Sequence, residues 1–318
     1  MGILNLFVKK KKIRLAEFIL DYCNTSKRSA THIRFYRCLA GKIEQFEKHI
    51  QKEIFTDSFD EQTLEEYIHF LKSYQLDTIA CAYKQTTIRN YCQKTLAAVN
   101  KAGRQGWPVK TSAFRECSVK EEDAGAVFLT LKELEAINSL ELRKEAMRVR
   151  DIFLIGCYTG LRFSDYSRLS AANFLGGNIT ILTKKTDVKV TIPIHPVVQS
   201  IIDRNGGYGF LGYEKSLQNF NDVIRRICKR AGIINDIHLE YTRGCDKVQK
   251  VAKKYELISS HTARRTAATN MYLAGIPVFR IMLITGHKSE SAFYRYIRIG
   301  KEENAKELQN HAYFLGKS

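Results

Sequence analysis

The chain has 318 residues, of which 44% are hydrophobic and 26% are charged, a composition typical of a globular protein with one large domain or two of ordinary size. No apolar run is long enough to span a bilayer, and the first residues form neither a secretory nor a myristoylation signal, so we expect a cytoplasmic protein. The 51 basic residues outnumber the 33 acidic ones by 18, and both halves share the excess. This charge favours a polyanionic partner, most often nucleic acid.

The eight cysteines are scattered along the chain, with no CxxC pair and no compact Cys/His cluster. Their spacing indicates neither a zinc site nor a disulfide framework. We expect them to be reduced core residues.

The first hundred residues have the periodicity of helices. Segments 29–50, 59–74 and 84–106 carry apolar residues at helical spacing, and the first two begin with Ser or Asp in the cap region. They predict a helical bundle over residues 1–107. The basic run at 9–14 fits either a short basic contact strip or a disordered, solvated segment.

Residues 108–126 lack periodicity and end in an acidic cluster, which predicts a linker to a second domain over 127–318. TLKE at 130–133 fits a capping box, and the apolar helix at 145–160 should stop at Gly160. Two β-branched runs within 176–194 flank KKTD and predict a β-hairpin. Further helices are predicted at 196–204, 217–232, 261–275, 277–286 and from about residue 289. The second domain should be mainly α, with one small antiparallel sheet.

Two segments of the second domain carry arginines in positions suited to an anion. His261 and Arg264 are three residues apart, so they share one face at the start of a predicted helix, where free N–H groups attract negative charge. Arg162 directly follows the turn at Gly160. Two guanidinium groups would match the non-bridging oxygens of a phosphate. A solvated basic helix start remains the alternative for HTARR, and Arg265, on another face, would at most contact DNA backbone.

Three further residues complete the set of candidates. Asp165 could orient a guanidinium, cap the next helix or form a structural salt bridge. His287 follows a glycine in a tight turn, and Tyr296 lies nine residues beyond it. Tyr294 points to a nearly opposite face, so at most one of the two tyrosines can face a given site.

These residues and their order resemble the tyrosine site-specific recombinases of the phage-integrase family, in a Bacteroidetes-like form without a long arm-binding domain. The resemblance covers nearly the whole chain. It implies a SAM-like helical core-binding domain and a catalytic domain with the fold of DNA breaking-rejoining enzymes. Six positions carry it: Arg162 in TGLR, Lys185 eight residues before Pro193, His261 and Arg264 as His-x-x-Arg, His287 after Gly286, and Tyr296. Lys184 and Tyr294 remain alternatives to their neighbours, and Thr285 stands where members often have Leu.

The resemblance implies a role for each residue. Tyr296 would attack a DNA phosphodiester to form a 3′-phosphotyrosyl intermediate, and His261 with Lys185 would serve the acid–base steps, Lys185 protonating the leaving 5′-oxygen. Stabilisation of the phosphorane-like charge would come from Arg162, Arg264 and His287, with Asp165 in support. DNA contacts are expected from Lys184, Arg265 and Lys288.

The same resemblance implies no cofactor, neither a metal ion nor ATP. The only acidic residue between 259 and 300 is Glu290, so this segment lacks the carboxylates of a two-metal nuclease. The implied partners are double-stranded DNA with inverted-repeat core sites, three further copies in a tetramer on DNA, and in some systems accessory DNA-bending proteins. The amphipathic segment 301–318 would dock into a neighbouring subunit or pack on its own domain.

The leading hypothesis is therefore an integrase, invertase or resolvase of a mobile element. A catalytically silent DNA-binding regulator on the same fold would be expected to lack one or more of the six residues, and none is missing. A metal-dependent nuclease would be sensitive to chelators. A type IB topoisomerase shares the chemistry and would relax supercoiled plasmid without site preference.

Overall fold

The computed structural model describes residues 11–73, 82–110, 118–120, 122, 125–287, 289–297, 308–309 and 313–316. Contacts within the chain divide it into two compact units, residues 1–124 with 239–250, and residues 125–238 with 251–318. Across the described ranges, no helix combines the length and the apolar character that a bilayer crossing requires.

The first unit is a bundle of helices, as predicted. Its helices are α1 (Leu15–Thr25), α2 (Ala30–Ile50), α3 (Glu61–Ser73) and α4 (Gln85–Arg104). They bury one continuous apolar core. Ser29 accepts a hydrogen bond from the backbone N–H of His32 at the start of α2, and Asp60 accepts one from Thr63 at the start of α3.

Helix α1 was not predicted from the sequence. Arg14 stands at its N-cap and makes no side-chain capping bond, so the usual start signal is missing. The described end of the basic run is nevertheless packed, because Ile13 is buried and Arg14 pairs with the Glu47 carboxylate at 2.6 Å. Lys9 and Lys10 lie outside the described residues.

The second unit is mainly helical, and its helices confirm the predicted segments. They are α5 (Leu131–Asn138), α6 (Lys144–Thr159), α7 (Phe163–Tyr166), α8 (Pro196–Arg204), α9 (Leu217–Arg230), α10 (Ser260–Leu273), α11 (Val278–Thr285) and α12 (Glu290–Tyr294). Helix α6 is buried along most of its length and packs against α9 and α10. The capping box of Thr130 and Glu133 is present. Tyr296 was expected on the last helix, but α12 is short and Tyr296 lies in the turn after it.

The predicted hairpin within 176–194 is confirmed as part of a three-stranded antiparallel sheet in the order β1 (Phe174–Leu175), β2 (Asn178–Leu182) and β3 (Lys189–Pro193). Ile179 pairs with Ile192 and Ile181 with Val190, and all four side chains face the core. The turn between β2 and β3 carries Lys184 and Lys185.

The expectation of a single small sheet was wrong. Strands β4 (Asp236–Arg243) and β5 (Asp246–Lys253) form a second, two-stranded sheet. Strand β5 is largely exposed and rich in lysine, so it shows no alternation of apolar and polar residues. The overlooked signal was the two-residue connection of Gly244, at φ 59°, and Cys245.

The cysteines in the described ranges are free thiols, as expected. Four of them are buried (Cys23, Cys92, Cys157 and Cys228), whereas Cys38 and Cys245 are exposed. Cys81 and Cys117 lie outside the described residues. The expectation of core thiols is therefore confirmed for four positions and wrong for two.

Gly160 ends α6 in the left-handed conformation, at φ 68°, and its own N–H donates to the carbonyl of Gly156. A Cβ atom at this position would lie 3.0 Å from Cγ2 of Thr285 and 3.3 Å from Cβ of Ala267. Glycine is therefore required here both by the backbone and by close packing of α10 and α11.

We expect Gly160→Ala to destabilise the protein more than Gly275→Ala does. Gly275 has a similar φ of 76°, but no atom lies within 4 Å of the place that an added methyl group would occupy, so alanine there costs only backbone strain, about 1–2 kcal/mol. Crowding at Gly160 should add about 1 kcal/mol or more. Urea unfolding of the two variants measures the difference, and equal losses would contradict the close packing.

Candidate active site

The guanidinium of Arg264 is the centre of the candidate site. Arg264 lies on the first turns of α10, where Ala263, Ala267 and Ala268 allow close packing, and only 1% of its surface is exposed. Its Nη1 donates to the carbonyl of Gly160 at 2.9 Å and its Nη2 donates to Nε2 of His287 at 3.0 Å. Both acceptors are uncharged groups, and within the described ranges its Nε has no partner. Burial and the nearby Arg162 lower the pKa of Arg264 to about 10.

Arg162 brings a second guanidinium to the same place. It stands at the N-cap of α7, directly after the turn that ends α6, so the buried α6 fixes its position. Its Nη1 is buried and has no hydrogen-bond partner among the described residues. One buried and one half-buried guanidinium, each with an unused donor, give the site an excess of positive charge even beside the carboxylate of Asp165, which suits a phosphate group.

The hydroxyl of Tyr296 lies 3.1 Å from Nε2 of His261. Loss of hydration, followed by the charges of Arg265, Arg264, Arg162 and Lys185, lowers the pKa of His261 to about 4, although part of the side chain remains accessible to solvent. The imidazole is therefore uncharged at neutral pH, and its Nε2 lone pair can accept the proton of the phenol.

The backbone around Tyr296 is held on two sides. Its N–H donates to the carbonyl of Phe293 at 2.7 Å, and its carbonyl accepts from the hydroxyl of Thr269 on α10 at 3.3 Å. Its ring centroid lies 4.6 Å from that of His287. Tyr294, by contrast, is 49% exposed and packs on Phe293. The geometry brings Tyr296 into the cluster and leaves Tyr294 at the surface.

Asp165 connects α7 to the turn between β2 and β3. Its carboxylate is fully buried and accepts the backbone N–H of Lys184 at 2.8 Å, and Nη2 of Arg168 lies 3.5 Å from the same oxygen. The main hydrogen bond of Asp165 is therefore to the turn, with Arg168 as a longer salt bridge, and its negative charge also acts on the guanidinium of Arg264. Lys185 follows in that turn, exposed, and near enough to lower the pKa of His261.

The structure therefore gathers Arg162, Lys185, His261, Arg264, His287 and Tyr296 around one position. Arg265 is near enough to affect His261, while the side chain of Lys184 is exposed and its backbone is tied to Asp165. Lys288 lies outside the described residues. Sequence reasoning gave no role to Thr285, whose hydroxyl lies 2.7 Å from Nδ1 of His287. The sequence signal that could have identified Thr285 was its position directly before Gly286 and His287.

Within the described ranges, no three His, Cys, Asp or Glu side chains lie close enough together to hold a metal ion. The positive charge of the site comes from arginine and lysine side chains. A tyrosine hydroxyl that lies beside an uncharged histidine and near two guanidinium groups can attack a phosphodiester, and the phosphoryl group is then transferred to the tyrosine. Fold and site together define an enzyme that breaks and rejoins a phosphodiester.

Comparisons with known proteins agree with this class. A model of the phage integrase family matches residues 127–303, and a model of the phage integrase SAM-like domain matches residues 14–116. No curated protein matches the sequence.

Solved structures show the same fold at low sequence identity. The Tn1549 transposon integrase in complex with a circular intermediate DNA has a TM-score of 0.63 and 15% identity over 94% of this chain and 100% of that chain. The XerH recombinase bound to difH substrate has a TM-score of 0.61 and 14% identity over 93% and 94%. The lambda integrase dimer bound to a core site has a TM-score of 0.61 and 14% identity over 91% and 78%.

Because the family model covers more than half of its length, the chain belongs to the phage integrase family. It is a site-specific DNA recombinase.

The two histidines of the site should make stability depend on pH. Burial and the nearby arginines lower the pKa of His287 to about 3, and that of His261 is about 4, against the usual value of 6.5. The unfolded chain therefore takes up protons first as the pH falls. The contribution of the two histidines to stability should be complete above pH 6.5 and should decline as the pH falls, to about pH 4 for His261 and about pH 3 for His287.

Urea unfolding over this pH range tests the expectation. The double variant His261→Gln, His287→Gln should show a shallower decline than the wild type, because it lacks the two groups that resist protonation. Parallel pH profiles for the two proteins would show that these histidines are not held uncharged.

Proposed function

We propose that this recombinase cleaves and rejoins DNA with Tyr296 as its nucleophile, through a 3′-phosphotyrosyl intermediate. The proposal rests on one observation, the 3.1 Å contact between the Tyr296 hydroxyl and Nε2 of an uncharged His261, close to the guanidinium groups of Arg162 and Arg264. At neutral pH only about one phenol in a thousand is ionised, so attack on phosphorus needs a proton acceptor. His261 is positioned to be that acceptor.

Arg162 and Arg264 are the groups that would hold the scissile phosphate. Each has a buried nitrogen without a hydrogen-bond partner among the described residues, Nη1 of Arg162 and Nε of Arg264. Donors that are already desolvated and fixed in place need little rearrangement when a phosphate arrives, so they can stabilise the charge of the phosphorane-like transition state. His287 would add a hydrogen bond to the same charge.

Lys185 would protonate the leaving 5′-oxygen. Its side chain is exposed in the turn between β2 and β3 and acts electrostatically on His261. Asp165 supports this placement through its hydrogen bond to the adjacent backbone at Lys184. Further DNA contacts would come from the side chains of Lys184, Arg265 and Lys288.

Resealing needs neither ATP nor a metal ion in this scheme. The phosphotyrosyl bond retains the energy of the broken phosphodiester, and the 5′-hydroxyl of a partner strand can reverse the reaction. Guanidinium groups supply the charge that metal ions provide in two-metal nucleases. Among the described residues, carboxylates and histidines form no cluster that suits a metal.

The assembly we propose is a tetramer on two DNA duplexes with inverted-repeat core sites, because strand exchange between duplexes takes four cleavages. Residues 1–107 would form the core-binding domain, 108–126 the linker and 127–318 the catalytic domain. The two family models match residues 14–116 and 127–303, so the first of them extends into the proposed linker. Phe279 and Leu283 on α11 are 68% and 60% exposed and could receive segment 301–318 of a neighbouring subunit. That segment lies almost wholly outside the described residues.

Since the substrate of the protein is DNA, we also propose a cytoplasmic location.

The alternative of a catalytically silent DNA-binding regulator is not favoured. All six residues that chemistry requires are present, and they surround one position. A protein that only binds DNA would gain nothing from a phenol held against an uncharged histidine in such a basic site.

Tyr296→Phe should abolish an SDS-stable protein–DNA adduct on nicked duplexes that carry the inverted repeats flanking the gene. Tyr294→Phe, the matched control, should form the adduct as the wild type does, and EDTA should not change the yield. The proposal is wrong if Tyr296→Phe still forms the adduct or if Tyr294→Phe loses it.

Lys185→Ala should slow cleavage of the same duplexes by about 10²-fold or more, the usual contribution of a general acid. Replacing the bridging 5′-oxygen of the scissile phosphate by sulfur should restore the rate, because a thiolate leaves without protonation. Lys184→Ala serves as the control: at saturating protein it should cleave both substrates as the wild type does, because a lost DNA contact weakens binding and does not affect protonation of the leaving group. If sulfur rescues Lys184→Ala and not Lys185→Ala, the leaving-group role belongs to Lys184.

A further inference from the structure

The side chain of Thr285, the last residue of α11, is buried, and its hydroxyl contacts His287. Its surface is 2% exposed, and Oγ1 lies 2.8 Å from the carbonyl oxygen of Ile281 and 2.7 Å from Nδ1 of His287. A carbonyl oxygen only accepts, so the hydroxyl proton is directed to Ile281. The oxygen is then left as an acceptor toward His287, and Nδ1 must carry the proton of the imidazole.

The opposite nitrogen of His287 faces a group that only donates. Nη2 of Arg264 lies 3.0 Å from Nε2, and a guanidinium has no acceptor atom. Nε2 accepts this hydrogen bond only while it is unprotonated. Two separate contacts, one on each side of the ring, thus favour the same tautomer, and without the Thr285 hydroxyl a buried Nδ1–H would be left facing no acceptor in place of Oγ1. In the other neutral tautomer, an N–H group would face the guanidinium and a lone pair would face a hydroxyl oxygen whose proton is already used.

The methyl group of Thr285 lies beside Gly160, the residue whose carbonyl is the second acceptor of Arg264. Its Cγ2 approaches Gly160 so closely that a Cβ atom there would lie only 3.0 Å away. The Gly160 carbonyl accepts from Nη1 of Arg264. One threonine side chain thus supports both groups that hold Arg264, His287 through its hydroxyl and Gly160 through its methyl.

We propose that Thr285 is a positioning residue: it fixes His287 as the Nδ1–H tautomer, so that Nε2 accepts from Arg264 and holds the guanidinium ready for the scissile phosphate. The inference deepens the proposed function and rests on it for the role of the phosphate. The tautomer itself follows from hydrogen-bond geometry and can be measured without DNA.

This arrangement has a consequence when DNA binds. Because Thr285 keeps the Nδ1 proton, His287 can donate to a phosphate from Nε2 only after it takes up a second proton. In the free protein, burial and the nearby Arg264, Arg162 and His261 oppose that proton, and the Tyr296 ring packs on the imidazole. A phosphate anion between the guanidinium groups would offset those positive charges. His287 would therefore change from acceptor of Arg264 to cationic donor as the phosphate enters.

Two substitutions separate the role of the Thr285 hydroxyl from the role of its methyl group. Thr285→Val keeps a methyl group against Gly160 and removes the hydroxyl, whereas Thr285→Ser keeps the hydroxyl and removes the methyl. The full chain, labelled with ¹⁵N-histidine, is examined by NMR near neutral pH. The His287 signals are identified by their loss in His287→Gln.

The wild type and Thr285→Ser should show a protonated Nδ1 and an unprotonated Nε2 at His287. Thr285→Val should shift the proton toward Nε2, and its rate of adduct formation on nicked duplexes should fall about tenfold, the usual effect of one lost hydrogen bond, while Thr285→Ser stays closer to the wild type. Since Nε2 protonation also removes an acceptor from Arg264, the loss should appear in the cleavage rate more than in DNA affinity.

A wild-type His287 with its proton on Nε2 would overturn the inference, whatever the variants do. So would an unchanged tautomer in Thr285→Val, or equal losses of activity in Thr285→Val and Thr285→Ser, which would reduce Thr285 to a packing role. Failure of the proposed function looks different, because Tyr296→Phe would then still form the adduct while the tautomer of His287 remained as described.

Discussion

The site depends on a buried arginine that, within the part of the chain the structure describes, forms hydrogen bonds to uncharged acceptors and to no carboxylate. Burying an unpaired guanidinium is costly, so the surrounding structure must satisfy it with well-placed acceptors. Arg264 has two, the carbonyl of Gly160 and Nε2 of His287, and both are uncharged. A carboxylate in their place would neutralise the arginine, whereas uncharged acceptors hold its geometry and leave its positive charge available to a phosphate.

Several segments of the chain fix the positions of Arg264, of its two acceptors and of the neighbouring site residues. The left-handed turn at Gly160 ends α6, aims a carbonyl at Arg264 and brings Arg162 to the site directly afterwards. Thr285 and the turn at Gly286 fix His287, and Thr269 holds the backbone of Tyr296. Loss of hydration lowers the pKa of His261 and the same positive charges lower it further, so that the uncharged imidazole can accept the proton of the phenol. Positive charge therefore contributes both to phosphate binding and to activation of the nucleophile.

The sequence predicted the helices because periodicity and caps are local properties, and the resemblance to the phage integrase family, carried by the order and spacing of short motifs, indicated the six site residues. The capping box at Thr130, the stop at Gly160 and the hairpin around Lys185 are examples. It did not predict α1, which lacks a capping side chain, or β5, whose exposed lysines hide any alternation. The partner of Asp165 and the part played by Thr285 depend on contacts between distant segments, and residue spacing does not encode these.

The most direct test of the account is a structure of the protein bound to core-site DNA with an uncleavable scissile phosphate. We expect guanidinium nitrogens of Arg162 and Arg264 within about 3 Å of the non-bridging oxygens of one phosphate, with the Tyr296 hydroxyl in line with the leaving oxygen. Arginines that bind different phosphates, or a different tyrosine in line with the phosphorus, would contradict the central claim.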